Sequence, residues 1–534
     1  MNQNNKSIGD FEKEPYHFSL PIYIVGGGSF AIKLASVLID YDLDFEFVDE
    51  FLSSPLLGRN VYKTEDITNI DGIYIIAISI DVYAFSAIKR LTQKGIPKSQ
   101  CLRLQYDSDS MMLDHMLSDD KNRLLKLFSK PLDSFSALES EFYISRTLFF
   151  NSFKKNQHSL IGICCLGRGG GYISHLGNIP TLVNKLNKTV LLSDTVIQSK
   201  EYEIDHFLMG QSAMISEESL GLVITAHVFP CSPKTTKKLS FSHMVYDFLL
   251  FDEQTFEHLE QADTHYVVIP SHASMKMHQD ICKNKKFTNN IILIPGGYPR
   301  HDNNIIKFYE YASKKVIDCI LYAPTLSSLP ASNETDACFS ILDAIIFIPD
   351  ILNKFPNKKL IFRPHPEDLG LIKFELNHPR AKAFLKLLTW CEKHPRCEVD
   401  RGCDSYLDSF SRSSLIISDT SSIAFSFSLL TGRPAILYSS DHKSLIRDYN
   451  DCQFITDRNK FSFLAGNNNE LYEIVNRILC GNSDYSIMSD FCEKTIYNMG
   501  FSEKYIADNF DYILNDIRHP DWWYSREHVG VDTI

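Results

Sequence analysis

Short runs of consecutive apolar residues alternate with longer stretches of helical periodicity along most of this chain. That alternation predicts strands buried on both faces, joined by helices, in parallel α/β domains. The first run, Pro21-Ile-Tyr-Ile-Val25, leads into Gly26-Gly27-Gly28-Ser29 and a helical pattern to about Asp40. Phe45-Glu-Phe-Val-Asp49 is a second strand, ending in an acid. Ile73-Tyr-Ile-Ile-Ala-Ile78 is a third, with another helical pattern behind it. This is the opening of a doubly wound domain.

From about 108 to 156 the character changes. Ser, Asp, Leu and Lys dominate, and Met111-Met112 and Leu124-Leu125 fall at helical spacing, which predicts bridging helices. A second α/β unit starts at Ser159-Leu-Ile-Gly-Ile-Cys-Cys-Leu166, turns through Gly167-Arg168-Gly169-Gly170-Gly171 and enters a helix near Asn178–Leu186. Its further strands are expected at Thr189–Leu192, Leu222–Thr225, Lys238–Phe241, His265–Ile269 and Asn290–Ile294. A third unit begins at Asp318-Cys-Ile-Leu-Tyr-Ala-Pro324 and continues with strands at Lys359–Phe362, Leu415–Ser418 and Pro434–Tyr438. The expected organisation is a tail (1–18), a small Rossmann-like accessory domain (19–107), a helical linker (108–158), two further Rossmann-like domains (159–310 and 311–500) and a helical C-terminal tail (501–534).

The length of 534 residues allows several domains, and the 44% apolar content allows each its own core. A formal net charge of −12 argues against a protein that clamps nucleic-acid backbone, so no nucleic-acid partner is expected. Thirteen cysteines, an odd number, lie scattered and partly inside apolar runs, which reads as free thiols in a reducing cytoplasm. Cys391, Cys397 and Cys403 with His394 match none of the common zinc spacings, and neither metal nor cofactor is expected. Met1 to Tyr16 lacks the regions of a signal peptide, and no apolar stretch approaches the roughly 20 residues that span a bilayer. Any membrane contact is therefore expected to be peripheral, at the inner face of the cell membrane.

Candidate chemistry concentrates in the third unit. Ser418-Asp419-Thr420-Ser421-Ser422 closes a strand and opens a helix. Small hydroxyl residues there can simply cap the helix; they also leave N–H groups and the positive end of the helix dipole for an anion. Arg363-Pro364-His365-Pro366 follows the strand Leu360–Phe362, and the two prolines hold His365 out of helix. An Arg and a His at a carboxyl strand end suit a diphosphate; a structural His in a turn is the plainer alternative. Tyr322-Ala-Pro-Thr325 ends the unit's first strand in the same way.

Together, Leu321-Tyr-Ala-Pro-Thr325, Arg363-Pro-His-Pro366, Ile417-Ser-Asp-Thr-Ser-Ser422 and Gly432-Arg-Pro434 resemble the CDP-glycerol glycerophosphotransferases of teichoic-acid synthesis. Pro295-Gly-Gly-Tyr-Pro-Arg-His-Asp302, which contains Arg300, looks like a further segment of that family. The resemblance covers about residues 160–500, and the motifs agree in order and spacing. It implies the GT-B architecture, with the nucleotide-activated donor in the C-terminal half and a polysaccharide or lipid-linked acceptor opposite. It also implies donor-binding roles for Tyr322, Thr325, Arg363, Ser418 to Ser422 and Arg300, with His365 beside them. The family's base is a His in a His-Gly segment of the N-terminal half. His243 and His227 are the two candidates, His243 preferred on spacing. Neither is followed by Gly, and the family's downstream Lys is absent after His243.

The expected reaction removes a proton from the acceptor hydroxyl with His243 while His365 and Arg363 neutralise the leaving nucleotide. A nucleotide-sugar glycosyltransferase, a non-catalytic nucleotide-binding scaffold and a nonhydrolysing sugar epimerase are the alternatives. Gly26, Gly27 and Gly28 with Asp49 form a partial dinucleotide fingerprint, or else a tight turn in an accessory domain. That segment also resembles the front domain of sugar acyltransferases of the sialic-acid O-acetyl type. Gly167, Arg168 and Gly169 form an acceptor-side loop, or a plain flexible turn. Trp522-Trp523-Tyr524 is expected to pack the C-terminal segment onto the domains, contact with lipid headgroups being the alternative.

Overall fold

The computed structural model describes 21–27, 31, 34–35, 38–39, 43–52, 55–68, 70–78, 81–97, 100–103, 149 and 152–153. It also describes 160–528 apart from 166–172, 194–202, 209–213, 215–216, 229–230, 243–244, 247–257, 313–315, 329–335, 366–367, 370–377 and 403–405. The chain forms two compact units, Met1–Ile144 and Ser145–Ile534. Apart from 149 and 152–153, the expected linker helices of 108–158 lie outside the described residues.

In the first unit, strands β1 (Ile22–Val25), β2 (Glu46–Val48), β3 (Val61–Tyr62), β4 (Ile73–Ile76) and β5 (Cys101–Arg103) make one parallel sheet in the order β3-β2-β1-β4-β5. Helix α1 (Asp81–Gln93) follows β4. Every residue of β4 is buried, and Tyr74 stacks on Tyr23 of β1 at 4.8 Å between ring centroids. This is the small Rossmann-like fold that the first three apolar runs predict.

The second unit carries two sheets. The first contains β6 (Leu160–Cys165), β7 (Thr189–Ser193), β8 (Asp205–Leu208), β9 (Leu220–Thr225), β10 (Lys237–Phe241), β11 (Thr264–Val268) and β12 (Asn290–Ile294), all parallel. The second contains β13 (Cys319–Tyr322), β14 (Lys359–Phe362), β15 (Cys397–Val399), β16 (Ser413–Ser418), β17 (Ala435–Tyr438) and β18 (Ser462–Ala465), in the order β15-β14-β13-β16-β17-β18. The helices that matter below are α2 (Ile179–Leu186), α3 (His272–Lys285), α4 (Pro299–Ala312), α5 (Ile341–Lys354), α6 (Pro379–Lys393), α7 (Leu407–Arg412), α8 (Ile423–Thr431) and α9 (Ser502–Asp508).

A last strand, β19 (Trp523–Tyr524), pairs antiparallel with β12, completing an eight-stranded sheet in the order β19-β12-β11-β10-β9-β6-β7-β8. The C-terminal segment, expected to be helical, thus ends as an edge strand of the earlier sheet. Trp522 is buried there, donating its indole N–H to the Tyr505 hydroxyl at 3.1 Å and packing against Tyr266.

Buried residues explain the pattern. All of β6 and β13 are buried, as strands sandwiched between helices must be. Ile320, Tyr322, Leu360, Phe362, Leu415 and Ile417 fill one face of the six-stranded sheet with Phe347 of α5 and Phe384 of α6. Leu321, Ile361 and Ile416 fill the other face with Phe410 of α7 and Phe425 of α8. The architecture is α/β, a GT-B-type pair of Rossmann-like sheets preceded by a smaller one. Among the described residues, no helix is long and apolar enough to cross a membrane.

Candidate functional site

The six-stranded sheet reverses its strand order at the neighbouring central strands β13 and β16. A doubly wound sheet holds its ligand outside the carboxyl ends of such a strand pair. Thr325 lies just past β13, His365 just past its other neighbour β14, and Ser421 and Ser422 just past β16. Three segments far apart in sequence therefore meet at three adjacent strand ends.

The side chains of these segments divide by burial. Tyr322, Ser418 and Asp419 are wholly enclosed. Tyr322 stacks on Phe362 and shares a 2.9 Å hydrogen bond with the Ser340 hydroxyl, and burial pushes its phenol pKa far up. Ser418 donates its hydroxyl to the Ala323 carbonyl at 2.5 Å. The Asp419 carboxylate accepts the N–H groups of Thr325 (2.9 Å), Ser340 (3.0 Å) and Thr420 (2.8 Å) and the hydroxyl of Ser340 (2.8 Å). Burial raises its pKa, and these four donors oppose the rise. Thr420 is half-buried and gives its hydroxyl to the Cys338 carbonyl at 3.0 Å. Ser421 is half-buried and Ser422 exposed at the start of α8, where the Ser422 side chain makes no capping hydrogen bond.

A residue the sequence reading passed over completes the loop. Asp368 is fully buried and accepts the N–H of Ser327 at 3.0 Å and that of Ser328 at 2.7 Å. Burial raises its pKa to about 6, against the pull of those donors. The stretch from Thr325 to Ser328 is thus held by its backbone between two carboxylates. The signal was available as an acid three residues beyond His365.

Arg363 is buried, and its Nη1 donates to Asp400 Oδ2 at 2.6 Å. Ser409 donates its hydroxyl to the same oxygen. The guanidinium expected to face a diphosphate is therefore engaged with a carboxylate inside its own sheet. His365 is half-buried and opens a turn in which its carbonyl accepts the Asp368 N–H at 3.0 Å. In the Gly432-Arg-Pro434 segment, Gly432 closes α8 with a φ of 62°, and Arg433 Nη1 donates to the carbonyls of Phe410, Ser411 and Ser413. That motif ties α8 to α7.

The eight-stranded sheet contributes the segment after β12. Gly297 has a φ of 88°, and a Cβ there would lie 2.3 Å from both Ser502 Oγ and the Tyr497 carbonyl, so only glycine fits. Tyr298 and Arg300 follow. His175, in the 3-10 turn Ile173–Leu176 before α2, is a second residue the sequence reading missed. It is 8% exposed, with Nε2 2.7 Å from Arg300 Nη1 and Nδ1 3.0 Å from the Tyr298 hydroxyl. Tyr406, ahead of α7, lies 5.8 Å from the Arg300 guanidinium carbon, measured to the ring centroid. Both Arg300 and Arg363 act on the Tyr406 phenol, so the carboxyl-end loops of the two sheets meet here.

His227 is half-buried two residues beyond β9. His243, Gly167, Arg168, Gly169 and Gly28 lie outside the described residues, as does Cys403. Cys397 and His394 approach each other, with Sγ 3.6 Å from Nδ1. In the first unit, Gly26 donates its N–H to the Val48 carbonyl at 2.8 Å, and Gly27 follows it. Asp49 Oδ1 accepts the N–H groups of Phe51 and Leu52 at 2.8 and 2.9 Å, so this acid shapes its own turn at the end of β2.

No family model matches the chain, and no curated protein does. Solved structures with similar folds include the wall teichoic acid polymerase TagF, at 12% identity and a TM-score of 0.46, covering 70% of this chain and 94% of that one. A UDP-GlcNAc 2-epimerase from Neisseria meningitidis bound to UDP-GlcNAc is similar at 12% identity and a TM-score of 0.42, covering 66% of this chain and 99% of that one. A glycosyltransferase from Rickettsia africae ESF-5 is similar at 11% identity and a TM-score of 0.39, covering 67% of this chain and 97% of that one.

Proposed function

We propose that the second unit is a transferase that moves a glycerol-phosphate-like unit from a CDP-activated donor to a hydroxyl of a bacterial surface polysaccharide or teichoic-acid-like polymer. One observation carries this reading: Thr325, His365 and Ser421–Ser422 meet at three adjacent strand ends around the order reversal of one parallel sheet. The resemblance of those segments to the glycerophosphotransferases names the donor class.

In the proposed reaction the donor's diphosphate lies at the start of α8, against Ser421 and Ser422, with His365 beside it. The walls are preset, because Asp419 and Asp368 hold the Thr325–Ser328 backbone. A histidine of the first half, His243 or His227, accepts the proton of the acceptor hydroxyl. The acceptor oxygen bonds to the phosphorus that carries the glycerol. The bond from that phosphorus to the bridging oxygen breaks, and CMP departs with the electron pair. Fixed donors around the leaving phosphate stabilise its charge. An acceptor linked to lipid brings the protein to the membrane face peripherally. Gly26, Gly27 and Asp49 of the first unit remain a candidate nucleotide turn.

A second reading is a glycosyltransferase that uses a nucleotide sugar. It is favoured by one departure from the family pattern: neither His227 nor His243 is followed by Gly, and the Lys after His243 is missing.

The test is chromatography of released nucleotides. Purified protein is incubated with CDP-glycerol, CDP-ribitol, UDP-sugars, GDP-sugars and CMP-sugars, with and without crude polymer acceptor. Acceptor-dependent CMP from a CDP-alditol is expected, and UDP or GDP release moves the protein to the second reading. His365→Ala should abolish turnover with an unchanged melting temperature; turnover at the wild-type rate would refute its place at the donor.

A further inference from the structure

Arg300 stands in the first turn of α4, where the helix's own positive end disfavours a cation. Among the described residues no carboxylate pairs with it. Among the described residues its contacts are neutral. An arginine has only donors, so the 2.7 Å contact from its Nη1 obliges His175 Nε2 to accept with a lone pair. The imidazole proton is then on Nδ1, donated to the Tyr298 oxygen at 3.0 Å. The Tyr406 oxygen in turn accepts from Asn304 Nδ2 at 2.6 Å. Each phenol therefore keeps its own hydrogen to donate. Burial raises both phenol pKa values, which keeps those hydrogens in place.

Among the described residues, what remains around Arg300 is a set of donors: its spare N–H groups and two phenol O–H groups. Tyr298, Arg300 and Tyr406 are half-buried, so they are partly withdrawn from water yet reachable. Holding a guanidinium there with neutral partners alone is unfavourable until an anion completes the shell. Several convergent donors suit the oxygens of a phosphate. We infer that Tyr298, Arg300 and Tyr406 form a phosphate receptor at the meeting of the two sheets, with His175 as the positioning residue that aims Arg300. The phosphate belongs either to the donor's diphosphate or to a phosphate of the acceptor polymer; this assignment alone rests on the proposed transferase function.

Among the described residues, the other charged groups nearby are engaged elsewhere. Asp302 of α4 accepts the N–H groups of Gly500 and Ser502, Glu503 of α9 accepts that of Asn178, and Arg363 is paired with Asp400.

The first test is calorimetric titration of the full chain with inorganic phosphate at pH 7.5. Arg300→Met should weaken binding at least tenfold, and Arg300→Lys by less. Melting temperatures within a few degrees of wild type identify the folded variants. His175→Leu, which removes the acceptor for Arg300, should weaken binding at least fivefold, and His175→Gln, which keeps an acceptor, should bind as the wild type does. Unchanged phosphate affinity in Arg300→Met overturns the receptor, and unchanged affinity in His175→Leu overturns the positioning role. In turnover, Arg300→Met should raise the KM of either the nucleotide donor or the polymer acceptor, which identifies the source of the phosphate. Raising neither overturns the receptor in catalysis. If no donor is turned over by the wild type, the transferase reading fails while the binding arms still decide the receptor.

Discussion

Two arginines that look alike in sequence have opposite situations in the fold. Arg363 precedes a Pro-His pair at a strand end and reads as a diphosphate ligand, yet its guanidinium meets Asp400, both side chains being nearly buried. Among the described residues Arg300 has no such partner, and it is held by a histidine that accepts its hydrogen bond. Breaking a buried pair leaves an uncompensated charge, which costs about 3–5 kcal/mol. Arg363→Met should therefore lower the urea midpoint by a corresponding amount, and adding Asp400→Asn should restore part of the loss. A single variant as stable as wild type would show that the pair is water-accessible and weak. Which arginine is engaged depends on Asp400, 37 residues further along the chain. No local reading of Arg363 could supply that.

At the scale of elements, the strand ends were legible and their ties were not. The apolar runs located the central strands because strands covered on both faces must be apolar along their whole length. Edge strands escaped: β8 and β15 each have a neighbour on one side only and carry polar residues such as Asp205, His206 and Glu398. The segment from Pro295 to Asp302 shows the other kind of miss. Its sequence resembles a family motif, and in the fold Asp302 accepts the N–H groups of Gly500 and Ser502 at 2.8 and 2.7 Å, satisfying the otherwise open start of α9. It works as a capping residue supplied from about 200 positions away. Asp302→Ala should cost about 1–2 kcal/mol, by analogy with lost caps, and should speed amide exchange across 500–508. Exchange unchanged there would refute the tie.

At the scale of the whole molecule, three buried histidines set an acid limit. Burial lowers the pKa of His265 to about 3 and those of His278 and His301 to about 4, from an ordinary value near 6.5. Above pH 6.5 the imidazoles are neutral whether the chain is folded or not. Below it the unfolded chain takes up protons that the folded chain refuses, so stability falls from pH 6.5 toward pH 4. Each histidine contributes on the order of 3 kcal/mol to that loss. Asp368 opposes it, because its raised pKa lets the folded state take a proton first between about pH 6 and its unfolded value near 3.8. Asp302 and Asp419, also raised by burial, oppose it in the same way, while His206, His378, His394 and His442, lowered by burial, add to the loss, and the histidines prevail. Denaturant midpoints at pH 7.5 and 5.0 should differ clearly, with the lower stability in acid, and His301→Leu should shrink the difference. Equal midpoints would contradict the burial of these imidazoles.

The sequence by itself determined the α/β class, the three Rossmann-like sheets and the places where strands end in polar motifs. These follow from local chemistry: apolar runs must be buried, and Gly, Pro, Ser and Asp mark where the chain leaves a strand. The tertiary structure alone decided which polar groups in those motifs are engaged inside the fold and which are left at its surface. Ser418 and Asp419 turn inward to Ala323, Thr325 and Ser340, while Ser421 and Ser422 do not. Trp523 and Tyr524 return to β12 across about 230 residues, and His175 reaches Arg300 across 125. Hydrogen bonds and ion pairs depend on distance in space, and the separation of their partners along the chain carries no record of it.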